Sequence, residues 1–386
     1  MNFKRYDSAI INRGFWPQNQ IIGEALLQLS EMISDKGMSV VVIAQGDNNS
    51  KEMARNLGRG SGTLFQLCKS RSNSSSTLLL RIFDAMIFMI WVSWSLLLTR
   101  PKKIYVATDP PILIPFIVFL YSKVFKASYT YHVQDIHPEA AHVAVKINPV
   151  LYSLLRIVDS LVLRHSTNII TITKVMKNEI ITRSGAKCNI QLISNPTVET
   201  NNFNEDKVKG FVFSGNAGRL QKIPLLLESI REYRDRGGTL PFLFIGAGLH
   251  SSKIQLLSKE YNDITYQGQV HAKMANELTA KYEWALLPIE DEVTKYAFPS
   301  KLSSYVFCGS NILAICSSWT SVAKWVVSHN YGINVSPYID NIVKAYFKIE
   351  NGLTVDSGER ETDKFSIKNF VESIYAVMFD KPDSAI

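Results

Sequence analysis

Short β-branched runs alternate with stretches of helical spacing along nearly the whole chain. Residues 8–12 read as a buried strand ending in the turn Arg13-Gly14-Phe15-Trp16-Pro17. Residues 23–36 carry Leu26, Leu27, Leu29 and Ile33 on one helical face, and Gly37 closes that helix. The run 38–44 is continuously apolar, as suits a parallel strand buried on both faces. Strand, helix and strand within about 40 residues make a βαβ unit. Residues 45–77 are polar and end in a serine-rich tract, which predicts a long surface loop. Further strands are predicted at 104–108, 128–133, 168–173 and 191–193, with helices at 151–165 and 174–184.

A polar stretch at 197–209 has linker composition, and beyond it the same grammar restarts. Strands are predicted at 211–213, 242–245, 264–266, 284–288 and 311–315. Helices are predicted at 223–233, up to 281, after Ser300, which can cap it, and at 366–378; Gly309 stops the third. Two α/β halves predict two Rossmann-like domains facing across a cleft, residues 1–196 and 210–365, with the C-terminal segment 366–386 returning to the first.

The most apolar segment is 78–99, stopped by Arg100-Pro101-Lys102-Lys103. A membrane-spanning helix needs about 20 apolar residues. Residues 82–99 offer 18, with Asp84 interrupting near the start. A second apolar run, 110–125, contains Pro115 and ends at Lys126. With a strand between them, the two runs fit the interior of a doubly wound sheet better than a two-span hairpin. Region 78–126 reads as an interfacial surface with basic flanks, ahead of a purely buried helix or a true span.

Composition narrows the class. A chain of 386 residues that is 46% hydrophobic and 20% charged is globular, with two domains the default. Net charge of +8 attracts anions, whether phosphorylated substrates or an anionic membrane face. The cations are dispersed and no aromatic–basic stripe accompanies them, so no nucleic-acid partner is expected. Cys68, Cys188, Cys308 and Cys316 form no CxxC pair and read as reduced thiols of a cytoplasmic protein. Residues 1–6 are not followed by a signal-peptide apolar region.

Three clusters carry candidate chemistry. Gly215 follows a buried strand and opens a turn bearing Arg219 and Lys222, cations suited to a leaving diphosphate at a helix start. The alternative is an ordinary βα turn with two solvated cations. Glu290, Asp291 and Glu292 follow a strand end, where carboxylates accept sugar or ribose hydroxyls, and Lys301 lies within reach of a phosphate. Here the alternative is a solvated acidic loop. In the first half, His132, Asp135, His137 and Glu139 follow a strand; Asp135 suits orienting a hydroxyl or an imidazole, and Glu139 suits accepting a proton. A structural loop, or a metal site from Asp135, His137 and His142, are the alternatives; the latter matches no standard zinc spacing.

In sequence order, the matching segments begin with Phe15-Trp16-Pro17 with Gly23-Glu24, Thr108-Asp109-Pro110-Pro111, and His132-Val133-Gln134-Asp135 with Pro138-Glu139. They continue with Ser214-Gly215-Asn216-Ala217-Gly218-Arg219, Gly246-Ala247-Gly248, and Pro299-Ser300-Lys301 with Tyr305 and Gly309. This set, over residues 10–337, resembles the family-4 retaining glycosyltransferases of the GT-B fold. The likeness is to bacterial enzymes of O-antigen, capsule and similar polysaccharide synthesis, including those using N-acetylated deoxy-sugars.

The resemblance implies a retaining, hexosyl-type transferase, metal-independent and without a cofactor, that moves a sugar from a nucleotide-sugar donor. The acceptor would be an undecaprenyl-type lipid-linked saccharide, met by a protein peripheral on the inner face of the cytoplasmic membrane. Carried over by position, Lys222 would match the lysine on the donor diphosphate, and the expected catalytic residues are Asp135, Arg219 and Lys222. Donor contacts would be Gly215, Asn216, Gly218, Gly246, Glu290, Asp291, Ser300, Lys301 and Tyr305. Acceptor contacts would be Gly23, His132, His137 and Glu139. Asn216 stands where many relatives carry arginine, so Arg219 would supply that charge. Ala297 and Ser304 occupy the positions of a paired-glutamate motif, which shifts the sugar contacts to Glu290–Glu292. Those departures leave a non-catalytic partner of a membrane glycosyltransferase as an alternative, beside a sugar-nucleotide epimerase of the same architecture.

Overall fold

The computed structural model describes residues 5–72, 77–199, 207–355 and 360–380. The chain divides into two units, 1–195 with 367–386, and 196–366.

The first unit begins with β1 (Ser8–Ile11), α1 (Ile22–Asp35), β2 (Val40–Gln45), α2 (Asn48–Asn56) and β3 (Thr63–Cys68). It continues with α3 (Leu78–Thr99), β4 (Lys103–Ala107), α4 (Leu113–Phe125), β5 (Ser128–His132) and α5 (Glu139–Ala144). The helix α6 (Pro149–His165), β6 (Asn168–Thr171), α7 (Lys174–Ser184) and β7 (Asn189–Leu192) follow. All seven strands are parallel, in the order β3-β2-β1-β4-β5-β6-β7. β1 and β2 are buried throughout, which accounts for their unbroken apolar sequences.

The long loop expected over 45–77 is corrected. Asp47 caps α2 by accepting from the Ser50 N–H, and β3 pairs with β2 in parallel from Thr63 to Cys68. The strand is only half-buried at the sheet edge, so its apolar signal is diluted. Residues 73–76 of the serine tract lie outside the described residues.

The second unit holds β8 (Val208–Ser214), α8 (Ile223–Asp235), β9 (Phe242–Ile245), α9 (Ser251–Glu260), β10 (Ile264–Gly268) and α10 (Ala272–Ala280). Next come β11 (Tyr282–Pro288), α11 (Lys301–Phe307), β12 (Asn311–Ile315), α12 (Ser321–Ser328), β13 (Gly332–Val335) and α13 (Ile339–Glu350). These six strands are also parallel, ordered β10-β9-β8-β11-β12-β13. An aromatic cluster of Phe211, Phe242, Tyr233 and Tyr346 joins the sheet to α8 and α13. Both ends of the expected linker are built into this unit. Thr197 is buried, with its hydroxyl 2.8 Å from that of Ser304, and β8 starts at Val208; residues 200–206 lie outside the described residues.

The last helix, α14 (Ile367–Phe379), belongs to the first unit, as expected of a returning C-terminal segment. Its Phe370, Val371 and Ile374 join Leu26, Leu29 and Ile33 of α1 in one core.

Helix α3 connects β3 to β4 of this sheet. Asp84, Phe88, Val92 and Leu96 are buried at helical spacing, and the Trp91 indole donates to the Gln66 carbonyl of β3 at 3.1 Å. The opposite face is apolar yet exposed. Among the described residues it is the one helix long and apolar enough to cross a membrane by length and composition.

Candidate functional site

In each sheet the winding reverses beside its first strand, between β1 and β4 and between β8 and β11. Open parallel sheets bind ligands beyond the carboxyl ends of their strands at that switch point.

In the second unit the switch point is built on glycines. Gly215 and Gly246 have φ of +125° and +118°. A Cβ on Gly246 would fall 2.2 Å from the Gly215 carbonyl, and one on Gly248 would fall 2.5 Å from the Asn216 side chain. Only hydrogens let these two turns meet. Backbone bonds then zip them together: Gly215 N–H to Ile245 at 2.9 Å, Ala217 N–H to Ala247 at 3.0 Å and His250 N–H to Ala217 at 3.1 Å. The Gly218 N–H is taken by the Gln221 side chain at 3.2 Å.

Lys222 stands at the start of α8, its amine 3.2 Å from Glu290 and 3.8 Å from Asp291. The Asp291 carboxylate also accepts from the Ser317 N–H at 3.0 Å and hydroxyl at 2.5 Å, which ties the loop after β12 to the one after β11. Lys222, Glu290 and Asp291 are therefore brought together. Arg219 is exposed and has no ion-pair partner among the described residues.

Lys301 opens α11, and its amine is buried beneath the glycine turn, 4.1 Å from the centre of the Phe213 ring. Among the described residues it has no hydrogen-bond partner, and a Cβ on Gly215 would lie 3.3 Å from it. Burial pulls its pKa from the ordinary 10.5 down to about 7. An unsatisfied buried amine beside a glycine turn is poised for an anion.

Two donor-side expectations change. Ser300 does not cap α11, because no side-chain bond is made and its backbone is already helical. Tyr305 is wholly buried; its hydroxyl accepts from the Ser214 N–H at 3.0 Å and lies 3.1 Å from the Ser214 carbonyl. That tyrosine pins α11 under the end of β8 and positions Lys301 without facing a ligand. Ala297 and Ser304 provide no carboxylates, and Ser304 is engaged by Thr197.

In the first unit, Arg13 after β1 and Asp109 after β4 form an ion pair of 2.7 Å. Gly14 adds an N–H to Asp109 at 3.3 Å. Asp135, after β5, has its pKa raised to about 6 by burial and then by the charge of Asp109. Arg13, Gly14 and Asp109 border a cavity of ≈ 610 Å³ at the carboxyl ends of β1 to β4, which Phe15, Asp47, Lys69 and Arg81 also line. Lys69 and Arg81 escaped the sequence reading, since the tract between them looked like loop; the two cations flanking it were the available signal.

The other first-half candidates are structural groups. His132 is wholly buried, Nδ1 2.5 Å from the Tyr105 hydroxyl and its ring against Phe370, and burial lowers its pKa to about 3. Glu139 is locked between Arg183 at 2.8 Å and Arg156 at 3.2 Å, and Arg183 also pairs with Asp159. His137 gives its carbonyl to Arg183 at 2.7 Å, and burial followed by that guanidinium lowers its pKa to about 4. Gly23 gives its N–H to Asn19 at 3.2 Å, and a Cβ there would lie 2.6 Å from the Trp16 nitrogen, so it is a packing glycine. Among the described residues no three His, Cys, Asp or Glu side chains assemble as a metal-holding group.

No known family profile matches the chain. It is similar to the "Probable glycosyltransferase WbjE" of Pseudomonas aeruginosa, 24% identical over 286 residues, covering 69% of this chain and 70% of that protein. Among solved structures it resembles Anabaena Alr3699/HepE in complex with UDP-glucose, at TM-score 0.58 and 12% identity over 97% of this chain and 96% of that one. WaaG, a glycosyltransferase involved in lipopolysaccharide biosynthesis, superposes at TM-score 0.61 and 10% identity, over 97% of this chain and 100% of that one. A putative UDP-N-acetylglucosamine 2-epimerase from Listeria monocytogenes reaches TM-score 0.60 at 10% identity, with 99% of both chains covered. The fold is that of the GT-B glycosyltransferases, two parallel-sheet Rossmann-like domains.

Proposed function

We propose that the protein is a glycosyltransferase that moves a sugar from a nucleotide-sugar donor, held by the second unit, to a lipid-linked saccharide acceptor held by the first. The observation that carries this reading is the buried, unpartnered Lys301 amine beside the Gly215 turn at the switch point of the second sheet. A diphosphate there would restore the charge that burial suppresses, with Arg219 and Lys222 adding cations at the start of α8. Breaking a sugar–phosphate bond requires that charge to be met, and these three side chains supply it without a divalent ion.

Glu290 and Asp291, already oriented by Lys222 and Ser317, accept hydroxyls of the transferred sugar or the ribose. Asp135, its proton affinity raised by burial and then by Asp109, orients the acceptor hydroxyl. Transfer proceeds with retention, on a hexosyl-type donor such as an N-acetylated deoxy-sugar nucleotide, in surface-polysaccharide synthesis. The exposed apolar face of α3, with Arg100, Lys102 and Lys103 beyond it, holds the protein on the inner face of the cytoplasmic membrane.

An epimerase reading draws on the Listeria likeness. One experiment separates the two. The purified protein is offered a panel of nucleotide sugars and protection against thermal unfolding is read, then the protecting compound is incubated with and without a lipid-linked saccharide. Elongated acceptor is the expected product. A changed nucleotide sugar without acceptor supports the epimerase, and absence of protection by any member overturns both.

A further inference from the structure

We propose that the cavity at the carboxyl edge of the first sheet binds a phosphate-bearing lipid, its anion held by Lys69 and Arg81 and its chain laid along the exposed face of α3. The proposal rests on the reading of a lipid-linked acceptor and names what holds that acceptor's phosphate.

Lys69 follows β3 and Arg81 lies in the first turns of α3, so the cavity receives them from two different elements. Asp84 brings those elements together. It is 1% exposed, and its carboxylate accepts from the Arg71 N–H at 3.1 Å and from the Ser72 and Ser70 hydroxyls at 2.8 and 3.3 Å. The strap 69–72 is thereby clamped to the helix. Neither the Lys69 amine nor the Arg81 guanidinium has an ion-pair or hydrogen-bond partner among the described residues.

The cavity's carboxylates are engaged elsewhere. Asp109 is taken by Arg13 at 2.7 Å, and Asp47 accepts from the Ser50 N–H and hydroxyl, each at 2.9 Å, with Lys69 close enough to favour its ionised form. Three cations face two occupied carboxylates, which leaves net positive charge and free donors. A phosphate matches both, and arginine meets it in a planar, two-point fashion.

What distinguishes a lipid phosphate from a free one is the helix that starts at the cavity. Ile82, Met86, Ile90 and Trp94 recur every four residues and are 52, 43, 64 and 54% exposed. They form an apolar stripe that begins one residue beyond Arg81 and runs for about 18 Å along the axis. No exposed carboxylate interrupts it. The acids within 78–126 are Asp84, which is buried, and Asp109, which is paired. An anion at one end and an apolar stripe leading away from it have the polarity of a lipid phosphate.

Calorimetric titration of the full chain with farnesyl diphosphate, inorganic pyrophosphate and farnesol tests each part. Farnesyl diphosphate should bind at least 10-fold more tightly than either control. The Lys69→Ala, Arg81→Ala double variant should weaken it about 100-fold, roughly tenfold for each charge-assisted hydrogen bond removed. Met86→Ser should weaken farnesyl diphosphate and leave pyrophosphate unchanged. Unaltered farnesyl diphosphate affinity in the double variant overturns the site. Pyrophosphate binding as tight as the lipid's overturns the lipid assignment in favour of a free phosphate.

The same preparations are titrated with the nucleotide-sugar panel, which the double variant should bind normally if folded. Lipid binding without any nucleotide-sugar binding defeats the transferase reading and not the cavity; the reverse defeats the cavity alone.

Discussion

Lys301 decides whether the donor reading is right, because its buried amine makes a signed prediction about protons. Free, it titrates near 7, so at pH 8.5 it is mostly neutral; a bound diphosphate favours the ammonium and raises that pKa. Nucleoside diphosphate binding at pH 8.5 should therefore take up close to one proton, read by calorimetry in buffers of different ionisation enthalpy. Lys301→Met should abolish the uptake; uptake that persists would remove Lys301 from the diphosphate site. Stability follows the same linkage. Between about pH 7 and 10.5 the unfolded chain holds the extra proton, so the empty protein should gain stability as pH rises through that window, and Lys301→Met should flatten the slope. Lys222→Ala should lower turnover about 100-fold or more, the scale for losing one oriented charge donor. Near-normal turnover in a folded variant would discard that residue. At this scale the sequence was informative about residue type and poor about direction. Lys301 and Tyr305 stand four apart on one short helix, yet one amine lies beneath the glycine turn while the other side chain pins the helix from below. His132 and Glu139 carried reactive side chains, but spacing does not reveal that Tyr105 and Arg183 already occupy them.

Elements were legible where burial is complete and obscure where it is partial. The strands β9 and β12 match to the residue because a fully buried run reads as continuous apolar sequence, and α3 covers the apolar stretch 78–99 although one of its faces is exposed. By contrast α2, β3, α9, α12, β13 and α13 went unread; β3 and β13 are largely half-buried, and α2 and α9 have low mean hydropathy. What joins α5, α6 and α7 was also invisible, since Glu139, Asp159 and Arg183 are distant in sequence. Arg183 is 0% exposed, so Arg183→Ala leaves the buried Asp159 without an ion-pair partner and Glu139 with Arg156 alone, and should cost about 3–5 kcal/mol in denaturant unfolding. A loss within about 0.5 kcal/mol, the range of ordinary surface substitutions, would show the network to be dispensable. Helix α3 makes the membrane prediction. Its buried face, with Asp84 inside, is committed to the sheet, so binding to anionic vesicles should be peripheral, with each flanking cation worth about 1 kcal/mol near the surface. High salt or detergent should release the protein, and proteolysis on vesicles should leave no protected fragment; one starting near residue 78 would mean that α3 spans.

At the scale of the whole molecule, two sheets of like winding make a division of labour testable. Periodicity exposed the two halves because each is a parallel sheet flanked by helices, but periodicity is silent on which half binds what. The cation set of the second sheet's switch point, Arg219, Lys222 and Lys301, and the Asp109–Asp135 pair of the first point to different tasks. Asp135→Ala should abolish transfer and leave nucleotide-sugar affinity within about twofold, since the substitution falls in the other unit. Loss of nucleotide-sugar binding in a folded Asp135→Ala protein would end that assignment. The same logic sets the expectation for divalent ions. If three side chains and the start of α8 meet the diphosphate's charge, a divalent ion adds little, and transfer should survive EDTA. Activity lost in EDTA and restored by magnesium or manganese would instead mean that the three cations do not suffice, and that the carboxylates Glu290 and Asp291 hold a metal rather than the hydroxyls of the sugar.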